Sequence, residues 1–349
     1  MTNKIPVGIL GATGTVGQRF IQLLEDHPWF EVAWLAASER SAGLPYPEAA
    51  KWKLTTPIPE RVRAMKVAAA APDGAPKVIF AALDAALAQE LEPRFAASGR
   101  VVITNSSAFR MHADVPLVIP EINDDQLALI ERQEWRNSGG CIVTNSNCSA
   151  MGLAIALAPL ADAFGLDKVF AVTMQAISGA GYPGVASLDI LGNVIPYIAK
   201  EEEKMEAEAK KLLGRMNNGQ LQLADFSISA QCNRVPVEDG HTESVSVKLR
   251  KPATEKEIVA AWRGYKSKVA ALALPSAPAE FIHYDDRADR PQPRLDIHRG
   301  NGMTTTVGRL RPCGVLDWKF TVLSHNTVRG AAGAAILNAE LLKVKGYLG

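Results

Sequence analysis

Three features of the sequence predict an α/β protein in two parts. Short, uniformly apolar runs alternate with turns and helix-spaced segments through the first 150 residues, a glycine-rich turn separates the first run from the first helix, and later runs alternate apolar with polar residues. The first rhythm is that of βαβ units on a parallel sheet covered on both faces. The second is that of strands with one covered face, hence a second α+β domain built on a mostly antiparallel sheet.

In the first part, strands are expected at Val7–Leu10, Glu31–Ala37, Lys77–Leu83, Val101–Asn105 and Cys141–Asn145. All are short and mostly apolar, as doubly covered strands are. Val16, Phe20, Leu23 and Leu24 follow i, i+4, i+7, i+8 spacing, the stripe of a helix packed on that sheet. A small-residue helix from Ser149 to about Ala163 opens the second part, followed by strand-like Val169–Ala176, Phe226–Ser229, Val245–Leu249, Thr304–Leu310 and Lys319–Leu323. Glu201–Met216 reads as a helix with Met205, Ala209, Leu212 and Leu213 on one face and a Glu206–Lys210 pair on another. Thr327–Tyr347 reads as a closing helix that returns to the first part. The division expected is residues 1–148, residues 149–326, and a returning helix over about 327–349.

Composition excludes several classes of function. With 38 Lys+Arg against 37 Asp+Glu the formal charge is +1, so no global field draws nucleic acid, anionic lipid or a polyacidic partner. Hydrophobic residues at 47% and charged residues at 21% argue against a disordered or fibrous chain. No run approaches the roughly 18 to 20 apolar residues of a membrane span, and MTNKIPVGILG enters a strand pattern with no secretory signal. Cys141, Cys148, Cys232 and Cys313 lack CxxC or His spacing, so neither a disulfide framework nor a metal site is expected, and a reducing, cytoplasmic compartment is.

The glycine turn GATGTVG, Gly11 to Gly17, lets the chain turn tightly and bring amides and a helix dipole to a pyrophosphate. Its spacing is GxxGxxG, a variant of GxGxxG, so its place between strand and helix carries the reading: a Rossmann-like dinucleotide-binding domain. At the end of the second strand stands Ser38-Glu39-Arg40-Ser41. Arg40 with two hydroxyls suits a 2′-phosphate and favours NADP, whereas Glu39 would suit the free ribose of NAD.

Cys148, in TNSNCSAMG, falls where a strand gives way to a helix. Free amides and the helix dipole there are expected to lower a thiol pKa from about 8.5 toward neutrality, making a nucleophile. The plain alternative, a small buried hydrophobe, is the reading for the other three cysteines. A thiol attacking an acyl group needs a proton donor and acceptor, for which His241 in VEDGHTES is the best-placed histidine. Arg234 lies seven residues earlier, so two bends of one segment could present a guanidinium and an imidazole to one ligand. Gln175 precedes the glycine loop ISGAGYPG and could orient a substrate while Ser178 and Gly179 meet the nicotinamide end.

Taken together, the strings GILGATGTVGQRF, ASERSAG, DVPLVIPEIN, TNSNCSAMG, MQAISGAGYPG, EEEKM, CNRVPVEDGHTESV, RPQPRLD, GNGMTTTVGR and HNTVRGAAG resemble the aspartate-semialdehyde dehydrogenases, in the branch typical of archaea and fungi. The resemblance spans nearly the whole chain. It implies reduction of L-aspartyl 4-phosphate by NADPH to L-aspartate 4-semialdehyde and phosphate, on the route to lysine, methionine and threonine, by a homodimer or homotetramer. It further implies Cys148 as acyl-enzyme nucleophile, His241 as acid/base catalyst and Gln175 as the residue positioning the intermediate. Arg234 would hold the substrate α-carboxylate and Glu201 its amino group, while Arg110, Asn147 and Lys204 would receive the phosphate. Gly11, Thr13, Gly14, Thr15, Val16, Ser38, Arg40, Ser41, Ser178, Gly179 and Asn326 would bind NADP. Leu44 stands where the family's lysine is usual, leaving use of both cofactors open, and His325 precedes Asn326 where an acidic residue is common. The choice among Glu201, Glu202 and Glu203 is open, since one helical residue rotates a side chain by about 100°.

Two other readings share the glycine turn and the fold. An acyl-CoA reductase such as malonyl-CoA reductase would keep Cys148 and His241 without the amino-acid clamp. A non-catalytic NADP-binding regulator would hold the cofactor beside an inert Cys148.

Overall fold

The structure is a computed structural model that describes residues 4–348. The ends of the expected first part and of the returning helix, residues 1–3 and 349, lie outside the described residues.

Six strands, β1 (Ile5–Leu10), β2 (Phe30–Ala37), β3 (Ala68–Ala69), β4 (Val78–Ala81), β5 (Val101–Thr104) and β6 (Cys141–Thr144), form one sheet in the order β3-β2-β1-β4-β5-β6. Every pairing in it is parallel. β4, β5 and β6 read VIFA, VVIT and CIVT and are buried at every position, which is why no alternation marks them. β3 was not expected, because two alanines carry no periodicity. On the Thr15–Leu24 helix Phe20 and Leu24 are buried as expected; Ile21 joins them, whereas Val16 and Leu23 are only half-buried.

The second sheet contains β7 (Leu166–Gln175), β10 (Ser227–Arg234), β11 (His241–Leu249), β12 (Ile282–Asp285), β13 (Thr305–Pro312) and β14 (Trp318–Ser324), ordered β10-β7-β11-β14-β13-β12. Three of its pairings are antiparallel and two, β10 with β7 and β12 with β13, are parallel, so the sheet is mixed. The β7–β10 exception follows from connectivity. The helix Glu201–Leu212 lies between them in sequence, and a crossover of that kind returns the chain in the same direction. That helix is four residues shorter than expected. Arg215 begins β8 (Arg215–Asn217), which pairs with β9 (Gln220–Gln222) across Asn218 and Gly219, both at positive φ as a two-residue hairpin turn requires.

The helix Cys148–Phe164 is buried along most of its length and packs on the second sheet, against β7, β11, β13 and β14. Ile336, Leu337, Leu341 and Leu342 of the closing helix Gly333–Val344 belong to the same apolar cluster as Val7, Phe20 and Phe80 of the first sheet. Three strand ends meet at one edge of the second sheet. β7 ends at Gln175, Arg234 at the end of β10 is in register with it, and β11 begins at His241. Among the described residues no helix is long and apolar enough to cross a membrane.

Candidate active site

The glycine turn is shaped by contact. A β-carbon on Gly11, at φ 89°, would lie 2.4 Å from the Ala82 carbonyl oxygen, and one on Gly17 would lie 2.3 Å from the Gly11 oxygen. These two positions let the turn fold back on itself. Gly14 caps the Thr15–Leu24 helix, whose first-turn amides receive no side-chain cap, and its own open side would meet only the Gly11 oxygen at 3.5 Å. The buried Gln18 holds the turn by donating to Thr13 O and Lys51 O, each at 3.0 Å, and Tyr46 donates to Ala12 O at 2.8 Å. Uncapped amides beside an open glycine fit a pyrophosphate. Ser38 and Arg40 are exposed and Ser41 half-exposed at the end of β2, and Arg40 enters no ion pair among the described residues. Leu44 nearby brings no charge, so Arg40 is the cation of this turn that fits a 2′-phosphate.

Cys148 is the first residue of its helix. Asn147 caps it, its Oδ1 accepting from the amides of Ser149 at 2.9 Å and Ala150 at 3.0 Å. Cys148 Sγ lies 3.2 Å from Nε2 of the fully buried His241, whose Nδ1 accepts from the Ala176 amide at 3.1 Å. That amide can only donate, so the neutral ring carries its proton on Nε2 and points it at the sulfur. Burial pushes the thiol up to about 12, and the Glu201 carboxylate adds to the rise against the opposing pull of Arg110 and Arg234. Cys148 is nevertheless partly accessible, and solvent at the mouth works against this burial. Burial likewise lowers His241 to about 3, reinforced by the Arg234 charge. The expectation of a thiol pKa lowered toward neutrality is therefore corrected. Desolvation outweighs the helix end and favours the neutral form of both groups.

Around the pair stand the other expected residues. Glu201 Oε1 accepts from Asn147 Nδ2 at 2.7 Å and Gln175 Nε2 at 3.3 Å, and its Oε2 is 3.9 Å from Lys204 Nζ. Glu202 instead accepts from the Cys232 amide and Glu203 is exposed, so of the three glutamates it is Glu201 that faces Asn147 and Gln175. Arg234 donates to Ala176 O at 2.8 Å, and a β-carbon on Gly179 would sit 3.0 Å from Arg234 Nη1 and 3.1 Å from His241 Cε1, which places that glycine against both. Arg110 donates to Glu208 Oε1 at 2.9 Å and to Asn105 O at 2.6 Å, while Glu208 Oε2 accepts from the Asn147 amide at 2.6 Å. Asn147 uses both ends of its side chain, one for the cap and one for Glu201.

Ser178 donates to Asp239 Oδ1 at 2.7 Å and accepts from Asn326 Nδ2 at 2.8 Å, and Asn326 Oδ1 accepts from the Gly240 amide at 2.9 Å. Asp239 also lies 3.9 Å from Arg19 of the first helix, and a β-carbon on Gly181 would be 3.9 Å from Thr15 Oγ1. The loop after Gln175 thus links the sulfur's surroundings to the glycine turn. Glu208 and Asp239 are the polar residues that sequence reading missed. Glu208 stands seven residues after Glu201 on the same helix face, a spacing that could have flagged it.

A glycine-turn sheet beside a cysteine–histidine pair at the strand ends of a second sheet fits a dinucleotide-dependent dehydrogenase. Residues 6–130 match the family model described as semialdehyde dehydrogenase, NAD binding domain, and residues 157–329 match semialdehyde dehydrogenase, dimerisation domain. The chain is 50% identical to an aspartate-semialdehyde dehydrogenase of Archaeoglobus fulgidus over 97% of its own length and 98% of that protein's, and 49% identical to one of Schizosaccharomyces pombe over 98% and 99%. The crystal structure of the Candida albicans aspartate-semialdehyde dehydrogenase with NADP superposes with a TM-score of 0.91 at 44% identity, covering 98% of this chain and 99% of that one. The chain belongs to the aspartate-semialdehyde dehydrogenase family.

Proposed function

We propose that the protein reduces L-aspartyl 4-phosphate to L-aspartate 4-semialdehyde and phosphate with NADPH, through a thioacyl intermediate on Cys148. The 3.2 Å approach of Cys148 Sγ to His241 Nε2, at the mouth of a helix flanked by Glu201 and Arg234, carries this reading. The sulfur gives its proton to His241 and bonds to the acyl carbon, and the carbon–oxygen bond breaks so that phosphate leaves and a thioester remains. The Gly11–Gly17 turn would hold NADPH, with Arg40 at its 2′-phosphate and Ser178, Gly179 and Asn326 at its nicotinamide, and when bound there it would supply the hydride that reduces the thioester. The Cys148 amide, which the Asn147 cap does not take up, is the donor assigned to the developing oxyanion. Cleavage of the carbon–sulfur bond then frees the aldehyde and returns the sulfur to its resting state.

His241, as acid/base catalyst, takes the thiol proton at Nε2 and later returns it, which requires the resting ring proton first to move from Nε2 to Nδ1. Charging the ring forces Nδ1 to give up the Ala176 amide, a penalty in the same direction as the depressed histidine pKa. Gln175 positions the intermediate, Arg234 takes the α-carboxylate, Glu201 the amino group, and Arg110, Asn147 and Lys204 the phosphate. For Asn147 this requires that its amide leave Glu201 when substrate arrives. The acyl-CoA reductase reading has no use for Glu201 placed between Asn147 and Gln175.

Residues 1–148 and the returning helix make the NADP-binding domain in this proposal, and residues 149–326 the catalytic and dimerisation domain, in a cytoplasmic homodimer or homotetramer. Aspartate semialdehyde and NADP should give phosphate-dependent NADPH formation. Cys148→Ala should abolish it while fluorescence titration shows NADPH affinity nearly intact, and full retained activity would refute the mechanism.

A further inference from the structure

Beside the Arg110–Glu208 pair lies a cavity of about 440 Å³ whose wall includes Ser107, Arg110, Lys200, Glu203, Lys204 and Glu208. Arg110 is more than nine-tenths buried, and its Nε has no partner. Of the two carboxylates, Glu208 is already taken by Arg110 and the Asn147 amide, and Glu203 is exposed at the rim. Arg110 is paired with Glu208 and Lys204 lies 3.9 Å from Glu201, so Lys200 is the cation of this wall without a carboxylate partner among the described residues.

Lys200 is anomalous on this wall. It caps the Glu201–Leu212 helix in the left-handed region, at φ 58° and ψ 16°, where a non-glycine residue is strained. It also places a cation at the positive end of a helix dipole, where an anion is favoured. Among the described residues it enters no ion pair, and it makes no side-chain hydrogen bond, so nothing in the fold uses its charge. Two local penalties stand here without a local partner to offset them, which leaves the charge of Lys200 available to a ligand.

We propose that Lys200 is a third cation of the oxyanion subsite bounded by Arg110 and Lys204, and that it holds the phosphate group of the acyl phosphate and the phosphate that leaves. The proposal rests on the function argued above. Lys200 and Lys204, exposed and half-buried at the start of one helix, line the cavity together with the buried Arg110, so a tetrahedral oxyanion there meets more than one positive charge.

The test measures KM for inorganic phosphate in the direction of NADP reduction, at saturating NADP and aspartate semialdehyde, for the wild type, Lys200→Gly and Lys200→Arg. Glycine suits the left-handed backbone, so Lys200→Gly should melt at or above the wild-type temperature. Its KM for phosphate should rise about tenfold, the loss of one charge-assisted contact, with kcat and KM for the semialdehyde within about twofold. Lys200→Arg should stay within about threefold of wild type, and added potassium chloride should narrow the gap between Lys200→Gly and wild type. A Lys200→Gly enzyme with unchanged KM for phosphate at low salt would overturn the proposal, as would an equal rise in KM for all three substrates. A wild-type enzyme whose NADP reduction needs no phosphate would instead overturn the function on which the proposal stands.

Discussion

Gly330 gives the sharpest test of how the nucleophile is held. It lies in the turn Val328–Ala332 that leads into the closing helix, and its amide donates to His325 O at 2.9 Å. A β-carbon there would be 2.6 Å from Cys148 Cβ and 2.9 Å from Cys148 Cα. Non-bonded carbons rest about 3.5 to 4.0 Å apart, so Gly330→Ala demands a displacement of about 1 Å. The turn cannot readily retreat, because Arg329 beside it makes a bidentate, fully buried pair with Glu121 at 2.6 and 2.8 Å. Cys148 must therefore shift from its present position relative to His241. Overpacking of this kind costs about 1–3 kcal/mol of stability, and a misplacement of about 1 Å lowers turnover by about 100-fold. The assay is kcat for phosphate-dependent NADP reduction, with NADPH affinity and melting temperature measured alongside. Gly314→Ala, where the new methyl meets nothing within 4 Å, is the control expected to behave as wild type. A folded Gly330→Ala enzyme with kcat within about threefold of wild type would refute the claim that this glycine sets the sulfur's position.

Three other perturbations follow from the same geometry. With the Cys148 thiol pushed up to about 12, its labelling rate in the ligand-free protein should climb about tenfold per pH unit from pH 6 to 9; a plateau near neutrality would mean a resident thiolate. Arg40→Ala should weaken NADP binding about tenfold or more while NAD binding changes less than about twofold, measured by equilibrium titration, and equal losses would remove Arg40 as the 2′-phosphate ligand. Glu92, fully buried with Thr104 as its hydrogen-bond donor, is raised by burial to about 8. Its folded pKa exceeds its unfolded one, so its contribution is complete below pH about 4.5 and is lost as pH rises through about 8; Glu92→Gln should flatten the fall in melting temperature across that window.

The site divides unevenly between what local chemistry announces and what packing decides. Cys148, His241 and the glycine turn were legible because each sits at a break between regular elements, where residue type and neighbours carry meaning by themselves. Asp239, Glu208 and Gly330 were not, since their partners Ser178, Arg110 and Cys148 are 61, 98 and 182 residues away in sequence, and only the packing of helices and loops brings them together. The thiol's charge state was misjudged for a related reason. A helix end can be read from a motif, whereas the depth at which it is buried depends on every element stacked above it.

Sequence alone therefore determined the βαβ rhythm, the glycine turn between strand and helix, the place of Cys148 at a helix start and the family, because these depend on periodicity and on short contiguous strings. Tertiary structure decided that the second sheet is mixed, that Glu201 faces Asn147 and Gln175, that the resting histidine accepts from the Ala176 amide at Nδ1 and that burial raises the thiol pKa. Each of those is set by distance and desolvation between segments far apart in the chain, and neither quantity exists until the chain has folded.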